Sequence, residues 1–320
     1  MSRFDAMAAA KIFGGKPENT PKNLALVRYP ALVSLKYDGW RFFDLNGELK
    51  LRSLKPPKNL HTRRVMAELF KAARALGVEG LDGEGCAADI WDPNCMQACT
   101  SAFGSILGEP TFSFNVFDTH QHPAMPFSER LKRATDAVMR LRDLGFDWVY
   151  PVEHKLVHTQ DELFEYYDAL VAKGAEGVMG RDPNGPYKFG RSTMRESWLW
   201  ALKPYVDDEA EIIGFEEMLE NQNELETNER GYAKRAGLRE NMVPKGTLGK
   251  FICRSPKFSE TFSVGMGVGL TFVLRDKIWK SQDEYLGQWI KYKYQEIGVV
   301  DRPRQPKFMG FRATEDMARA

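Results

Sequence analysis

The sequence lacks any apolar run of membrane-spanning length, and its first residues, Met1-Ser-Arg-Phe-Asp, lack the apolar core of a secretion signal. Those absences predict a cytoplasmic protein with no membrane partner. Cysteine is scarce, with four in 320 residues, at positions 86, 95, 99 and 253. Cys95-x-x-x-Cys99 has no partners at zinc-finger spacing, so all four read as buried or incidental thiols in a reducing compartment. Net charge is nearly absent, at +1. That balance does not exclude nucleic acid, because such a partner needs only local positive charge. No internal repeat or low-complexity tract is present.

What the sequence does contain is an ordinary globular balance, 43% hydrophobic and 28% charged, on enough chain for two cores. Charge is unevenly placed. Residues 206–227 carry nine acids and neither Lys nor Arg, whereas residues 228–257 carry eight Lys or Arg against two acids. That switch just after Pro204 predicts two domains, residues 1–205 and 206–320. The first mixes strand and helix patterns without a βαβ period, which predicts an α+β fold. In the second, strand-like runs at 211–215, 249–254, 261–264 and 289–294 with glycine turns predict a small β-barrel.

The first part is organised around residues 31–41. An apolar run from Ala31 to Leu35 ends at Lys36, and Asp38-Gly39 marks a turn before Arg41 opens another extended run. An amine held there becomes a nucleophile if its pKa falls from about 10.4 through nearby cations, bound metal or desolvation. Residues 41–45 and 48–53 flank Asn46-Gly47, a pair suited to a type I′ hairpin turn. Val65, Leu69, Ala72 and Leu76 predict a helix over 64–76, stopped by Gly77. An acid-bearing strand at 81–85 and an aromatic one at 112–118 follow. Ser128 is expected to cap a helix reaching Leu144, and Thr159 with Glu162 to form a capping box for a helix reaching Lys173. Residues 1–30, with Pro17, Pro21 and Pro30, read as a polar lead-in with one short helix. Gly265-x-Gly-x-Gly269 lacks the strand-to-helix setting of a phosphate loop and reads as a barrel turn.

Lys36, Arg41, Arg52, Glu84, Glu176 and Lys203 all fall where strand ends could converge on one cleft, with Phe117 as an aromatic platform. This set suits nucleotidyl transfer. A lysine amine attacks an α-phosphate, two carboxylates hold a divalent metal, cations neutralise phosphate charge, and the ring stacks on a base.

Six elements stand in order: Lys36-Tyr-Asp-Gly, Arg52-Ser53, Asp82-Gly-Glu84, Val116-Phe-Asp118, Glu176-Gly-Val and Leu202-Lys203. Together they resemble the ATP-dependent DNA ligases of the small two-domain type found in bacteriophages and some bacteria. Asp208 to Phe215 resembles the opening of the family's OB-fold domain, and Leu286-Gly-Gln-Trp to Pro306-Lys-Phe its closing strands.

The resemblance implies a nucleotidyltransferase (ATP-grasp-like) adenylation domain of mixed and antiparallel sheets over 1–205, then an OB-fold DNA-binding domain over 206–320. It implies that Lys36 is adenylated by ATP, that Arg41 and Arg52 contact AMP or the nick phosphate, and that Phe117 stacks on adenine. Glu84 would hold ribose hydroxyls or metal, Glu176 the catalytic Mg2+ or Mn2+, and Lys203 the α-phosphate. The implied partner is nicked duplex DNA, bound by a monomer. Lys188, Arg191 and the basic stretch from Arg230 to Lys257, with Lys234, Arg235 and Arg239, are expected to grip its phosphates.

Two positions depart from the family pattern. Ser34 stands where a glutamate usually reads the adenine amino group, and Ala201 stands where a first lysine often precedes Lys203; Lys188 is a candidate to compensate. The rival readings are an RNA ligase, an RNA-capping guanylyltransferase, or a non-catalytic OB-fold nucleic-acid binder. Arg275-Asp276-Lys277 stands too early to be a capping-enzyme element. An NAD-dependent ligase is disfavoured because its extra N-terminal domain and zinc cysteines are missing.

Overall fold

Ala31, Val33 and Leu35 are buried along one face of β2 (Ala31–Leu35), as strand alternation against a core requires. The computed structural model describes residues 4–13, 23–229, 231–267, 269–295, 299 and 301–312, in two units, Met1–Pro204 and Tyr205–Ala320.

The lead-in supplies more than the expected short helix. Beside a single 3-10 turn at Leu24–Leu26, it forms β1 (Ala10–Phe13), whose Ala10 and Ile12 are buried. Pro17 and Pro21 lie outside the described residues. The hairpin follows as β3 (Trp40–Leu45) and β4 (Glu48–Leu51), with Asn46 at φ 58° and Gly47 at φ 86°, the left-handed pair a type I′ turn needs. Helix α1 (Leu60–Ala75) begins earlier than its apolar spacing indicates. Asn59 caps it, accepting from the Thr62 amide at 2.8 Å.

Next come β5 (Leu81–Cys86), α2 (Cys95–Gly104), β6 (Ser113–Thr119) and α3 (Phe127–Asp143). Ser128 does not cap α3: Pro126 occupies that position, and the Ser128 amide donates to the Pro183 carbonyl at 2.9 Å. The unit continues with β7 (Val149–Pro151), β8 (Lys155–Val157), α4 (Gln160–Val171), β9 (Val178–Arg181) and β10 (Leu199–Lys203). Thr159 caps α4 by accepting from the Glu162 amide at 3.2 Å, while the Glu162 carboxylate accepts from His158, one residue before the cap.

These strands form two mixed five-stranded sheets, β1-β10-β9-β2-β8 and β4-β3-β5-β6-β7. The β1–β10 and β6–β7 pairs are parallel and the others antiparallel. The second sheet packs Phe42, Phe114 and Val116 against Met66, Leu69 and Phe70 of α1 and Val138 and Leu141 of α3. The first packs Val33, Val178, Trp200 and Leu202 with Leu163 and Tyr167 of α4.

The second unit is built on strands longer than their apolar runs suggest. These are β11 (Val206–Asn221), the small hairpin β12 (Leu225–Thr227) and β13 (Ala233–Arg235), β14 (Met242–Arg254), β15 (Phe262–Val264), β16 (Trp289–Gln295) and β17 (Arg304–Phe311). Register shifts at Ile212/Gly214 and Glu216/Glu217 let β11 bend as it crosses the sheet. The order is β15-β14-β11-β16-β17, and Gly265 joins the outer strands, bonding Pro306 and Phe308 at 3.1 Å each. Phe251, Tyr292, Tyr294 and Phe308 fill the interior. Two helices, α5 (Phe272–Lys280) and α6 (Gln282–Tyr285), were not expected from the sequence. Arg275 of α5 is buried and donates to the Leu248 carbonyl at 2.7 Å. Among the described residues no helix is long and apolar enough to cross a membrane.

Candidate active site

Strand alternation sends every second side chain of the first sheet to one face. On that face lie Ala9 and Lys11 beside β1 residues Ala10 and Ile12, Ser34 of β2, Met179 and Arg181 of β9, and Leu199, Ala201 and Lys203 of β10. They line a cavity of about 290 Å³ together with Arg41, Arg52, Glu84 and Phe117 from the second sheet and its hairpin. The cavity therefore lies between the two sheets of the first unit. Seven cations line it (Lys11, Lys36, Arg41, Arg52, Arg181, Arg191 and Lys203) against one acid, Glu84.

Two glycines make the approach possible. A Cβ on Gly39 would strike the Gly85 carbonyl, and one on Gly177, at φ 142°, would strike that of Leu202. The Lys36 amide donates to Gly177 at 2.9 Å, tying the end of β2 to the residue after Glu176. The Glu176 carboxylate then receives Lys36 Nζ on one oxygen and Lys203 Nζ on the other, and only 7% of its surface is exposed.

Burial alone would lower the Lys36 ammonium, but Glu176, with help from Glu84 and Asp38, raises it above its ordinary value. The fall that would free the amine is not present here: the cavity as it stands holds Lys36 protonated. Lys203 is lowered, by burial first and Lys36 next, with Glu176 opposing. Burial would raise Glu176, yet the two lysines hold it below the usual carboxylate range.

Register places Arg41 of β3 opposite Glu84 of β5. Arg41 Nε donates to Asp82 Oδ1 at 2.8 Å, and Tyr187 Oη donates to Asp82 Oδ2 at 2.8 Å. Phe117 of β6 is flanked by two guanidinium groups, Arg41 at 5.5 Å and Arg181 at 5.6 Å from its ring centre. Arg181 and Arg130 share the buried Asp118 carboxylate, at 2.7 Å and 2.9 Å. Burial pushes His154 down to about 4, so it is neutral at physiological pH. Arg181, His154 and Lys11 escaped the sequence reading because none stands in a recognisable local pattern.

Glu84 is partly buried, and among the described residues its carboxylate makes no hydrogen bond. Burial pushes it up to about 8, with Glu176 and Asp82 adding and Lys36 and Arg41 opposing. A raised acid favours folding below its unfolded pKa of about 4.5, and that contribution is lost as pH rises through about 8. Glu84→Gln should therefore melt above wild type by about 2–5 °C at pH 8 without nucleotide, and level with it near pH 5. A pH-independent difference would assign the change to packing.

Of the cations expected on DNA, Arg191 lines this cavity and donates to the Ala9 carbonyl at 2.6 Å. Lys188 is ion-paired with Glu196 at 2.7 Å and does not stand beside Ala201; that neighbour is Lys11. Lys234, Arg235 and Arg239 are exposed in the second unit, and Arg230 lies outside the described residues. The four cysteines are free, buried thiols.

A family model described as DNA ligase OB-like domain matches residues 241–312. Over the whole chain, a Chlorella virus DNA ligase–adenylate structure aligns with 97% of this chain and all of its own, at 28% identity and TM-score 0.50. In fold and sequence the chain is similar to this viral DNA ligase. A Lig E DNA ligase shares the fold at TM-score 0.63 and 19% identity, covering 95% of this chain and 99% of that one. An African swine fever virus DNA ligase is 30% identical over 104 residues, 32% of this chain and 24% of the viral protein. The chain thus matches about a quarter of the length of such curated relatives. The ligase fold is a nucleotidyltransferase unit followed by an OB-like one, the order seen here.

Proposed function

We propose that the protein is an ATP-dependent DNA ligase that seals 5′-phosphate/3′-hydroxyl nicks through a lysyl-AMP on Lys36 and an adenylated DNA end. The observation that carries this reading is Lys36 and Lys203 sharing the Glu176 carboxylate beside a cation-lined cavity of nucleotide size. Lys36 Nζ attacks the α-phosphorus once it has lost its proton, and Lys203 lies beside it to meet the charge on that phosphate. Phe117 lines the cavity as the ring for adenine, and Arg41 and Arg52 meet phosphate oxygens.

Glu84 lines the cavity, and Glu176, joined to two of the lysines that line it, is a second hard oxygen donor. Glu84, driven up to about 8 without a hydrogen-bond partner among the described residues, is an acid that a cation would relieve. Glu84, and Glu176 once its two lysines release it, would hold Mg2+ or Mn2+. When bound, that ion neutralises charge on the phosphates. Incubation with labelled ATP, GTP or NAD tests the reading: label from ATP alone supports it. Label from GTP would turn the assignment to capping chemistry, with Ser34 in the cavity wall as the residue to examine.

Residues 1–205 act in this reading as the adenylation domain and 206–320 as the OB-fold DNA-binding domain. Lys234, Arg235 and Arg239 are exposed on or just after the β12–β13 hairpin, suited to phosphates flanking the nick. Reversing all three charges should weaken nicked-duplex binding at least about tenfold at low salt and flatten its salt dependence, since each neutralised phosphate releases counterions. Equal affinity and equal salt slope would place DNA elsewhere.

A further inference from the structure

The cavity holds a cation that neither the family resemblance nor the comparisons assign. β1 is the edge strand of its sheet, and its parallel register sets Lys11 beside Ala201 of β10. Ala10 and Ile12 turn into the core, which leaves Lys11 on the cavity face with Ala201 and Lys203. Ala201 has no atoms beyond its methyl group to compete for the space above it. Lys203 is lowered by burial first and Lys36 next, and Lys11 adds to that fall, so its charge reaches the same site.

Sheet order arranges these groups in a row: Lys36 after β2, Glu176 before β9, Lys203 at the end of β10, and Lys11 on β1. Neighbouring strands are about 4.8 Å apart, so Lys11 is the member of the row farthest from Lys36. Displacement at phosphorus is in line, with nucleophile and leaving group on opposite sides. For an attack by Lys36 along this row, the breaking bond points toward the β1 edge.

We propose that Lys11 binds phosphate on the side of the α-phosphorus opposite Lys36: the pyrophosphate as it leaves, then the nick's 5′-phosphate as it enters. The proposal rests on the ligase reading. In the first step the Nζ–P bond forms, the bond from α-phosphorus to the bridging oxygen breaks, pyrophosphate keeps the electron pair, and the amine proton passes to solvent. In the second, a 5′-phosphate oxygen bonds to the same phosphorus, the P–N bond breaks, and its electron pair returns to Lys36. In the third, the 3′-hydroxyl attacks the DNA phosphorus and AMP leaves, so the position facing Lys11 is not used.

The test compares the full chain with Lys11→Ala, Lys11→Arg and Lys11→Met, each checked by thermal melting. Three rates are measured: charging by ATP, discharge of the charged protein by pyrophosphate, and sealing of a nick carrying a preformed 5′-adenylate. Lys11→Ala and Lys11→Met should lose about ten- to a hundredfold in charging and discharge, with part recovered in Lys11→Arg. Their loss in sealing the preformed adenylate should be about tenfold smaller or less. Equal losses in all three rates would mean that the edge strand matters only as packing, and unchanged charging would remove Lys11 from the site; either overturns the proposal. Wild type that takes no label from ATP overturns the ligase reading itself, which keeps the two failures apart.

Discussion

Lys36→Ala and Lys36→Arg proteins should take no covalent label from ATP, a fall on the order of a thousandfold or more. The alanine variant has no amine, and the guanidinium of the arginine variant stays protonated while preserving the charge opposite Glu176. Lys203 makes the result informative. It shares the carboxylate with Lys36, and its ammonium is lowered where that of Lys36 is raised. By ionisation alone Lys203 is the readier nucleophile. The assignment to Lys36 rests on the turn that holds it, with its amide fixed to Gly177 and Gly39 packed against β5. Peptide mapping of the labelled wild type decides: label on residue 203, or label surviving in either Lys36 variant, would falsify the assignment.

In the proposed reading, replacing Glu176 should cost charging and sealing about a hundredfold or more at neutral pH, because it would remove both a metal donor and the group that aligns two lysines. A strand-end acid contributes little to a core, and that would make Glu176→Ala harmless to the fold. The structure changes the choice of variant, since removing a buried carboxylate leaves two ammonium groups without their counter-charge. Glu176→Gln keeps the shape and two polar atoms, and is the cleaner test. It also carries a pH signature. Glu176 is the main group raising Lys36, so without it Lys36 loses its proton at lower pH. The rise of charging with pH should begin at lower pH in Glu176→Gln than in wild type, although every rate is smaller. Wild-type sealing in magnesium would reject the role, and an unshifted pH profile would disconnect Glu176 from the Lys36 proton.

The parts of this site legible in the sequence are those fixed by short-range patterns. The run from Ala31 to Leu35 followed by Asp38-Gly39 placed Lys36 at a strand end, and Asn46-Gly47 fixed the hairpin that brings Arg52 to the cavity. Other features depended on residues remote in the chain. β1 is too short and too polar around it to stand out, and it exists because β10 offers a free edge. Judged by sequence distance from Ala201, Lys188 is the nearer candidate and Lys11 a remote one; the parallel register reverses that order. Arg181 sits in an unremarkable strand and gains its place from Asp118 and Phe117. Strand lengths in the second unit were underestimated because β11 crosses its sheet with bulges, which interrupt the alternation that marks a strand.

The shared carboxylate also bears on how the protein keeps between turnovers. An amine reacts with aldehydes, isocyanate and acyl donors only when neutral, and burial by itself would have made Lys36 such an amine. Glu176 suppresses that form for as long as it remains the nearest charge. In the ligase reading, reactivity then waits for a cation brought with the nucleotide to compete for the carboxylate. The cavity can stand open among the electrophiles of a cell with its nucleophile chemically quiet.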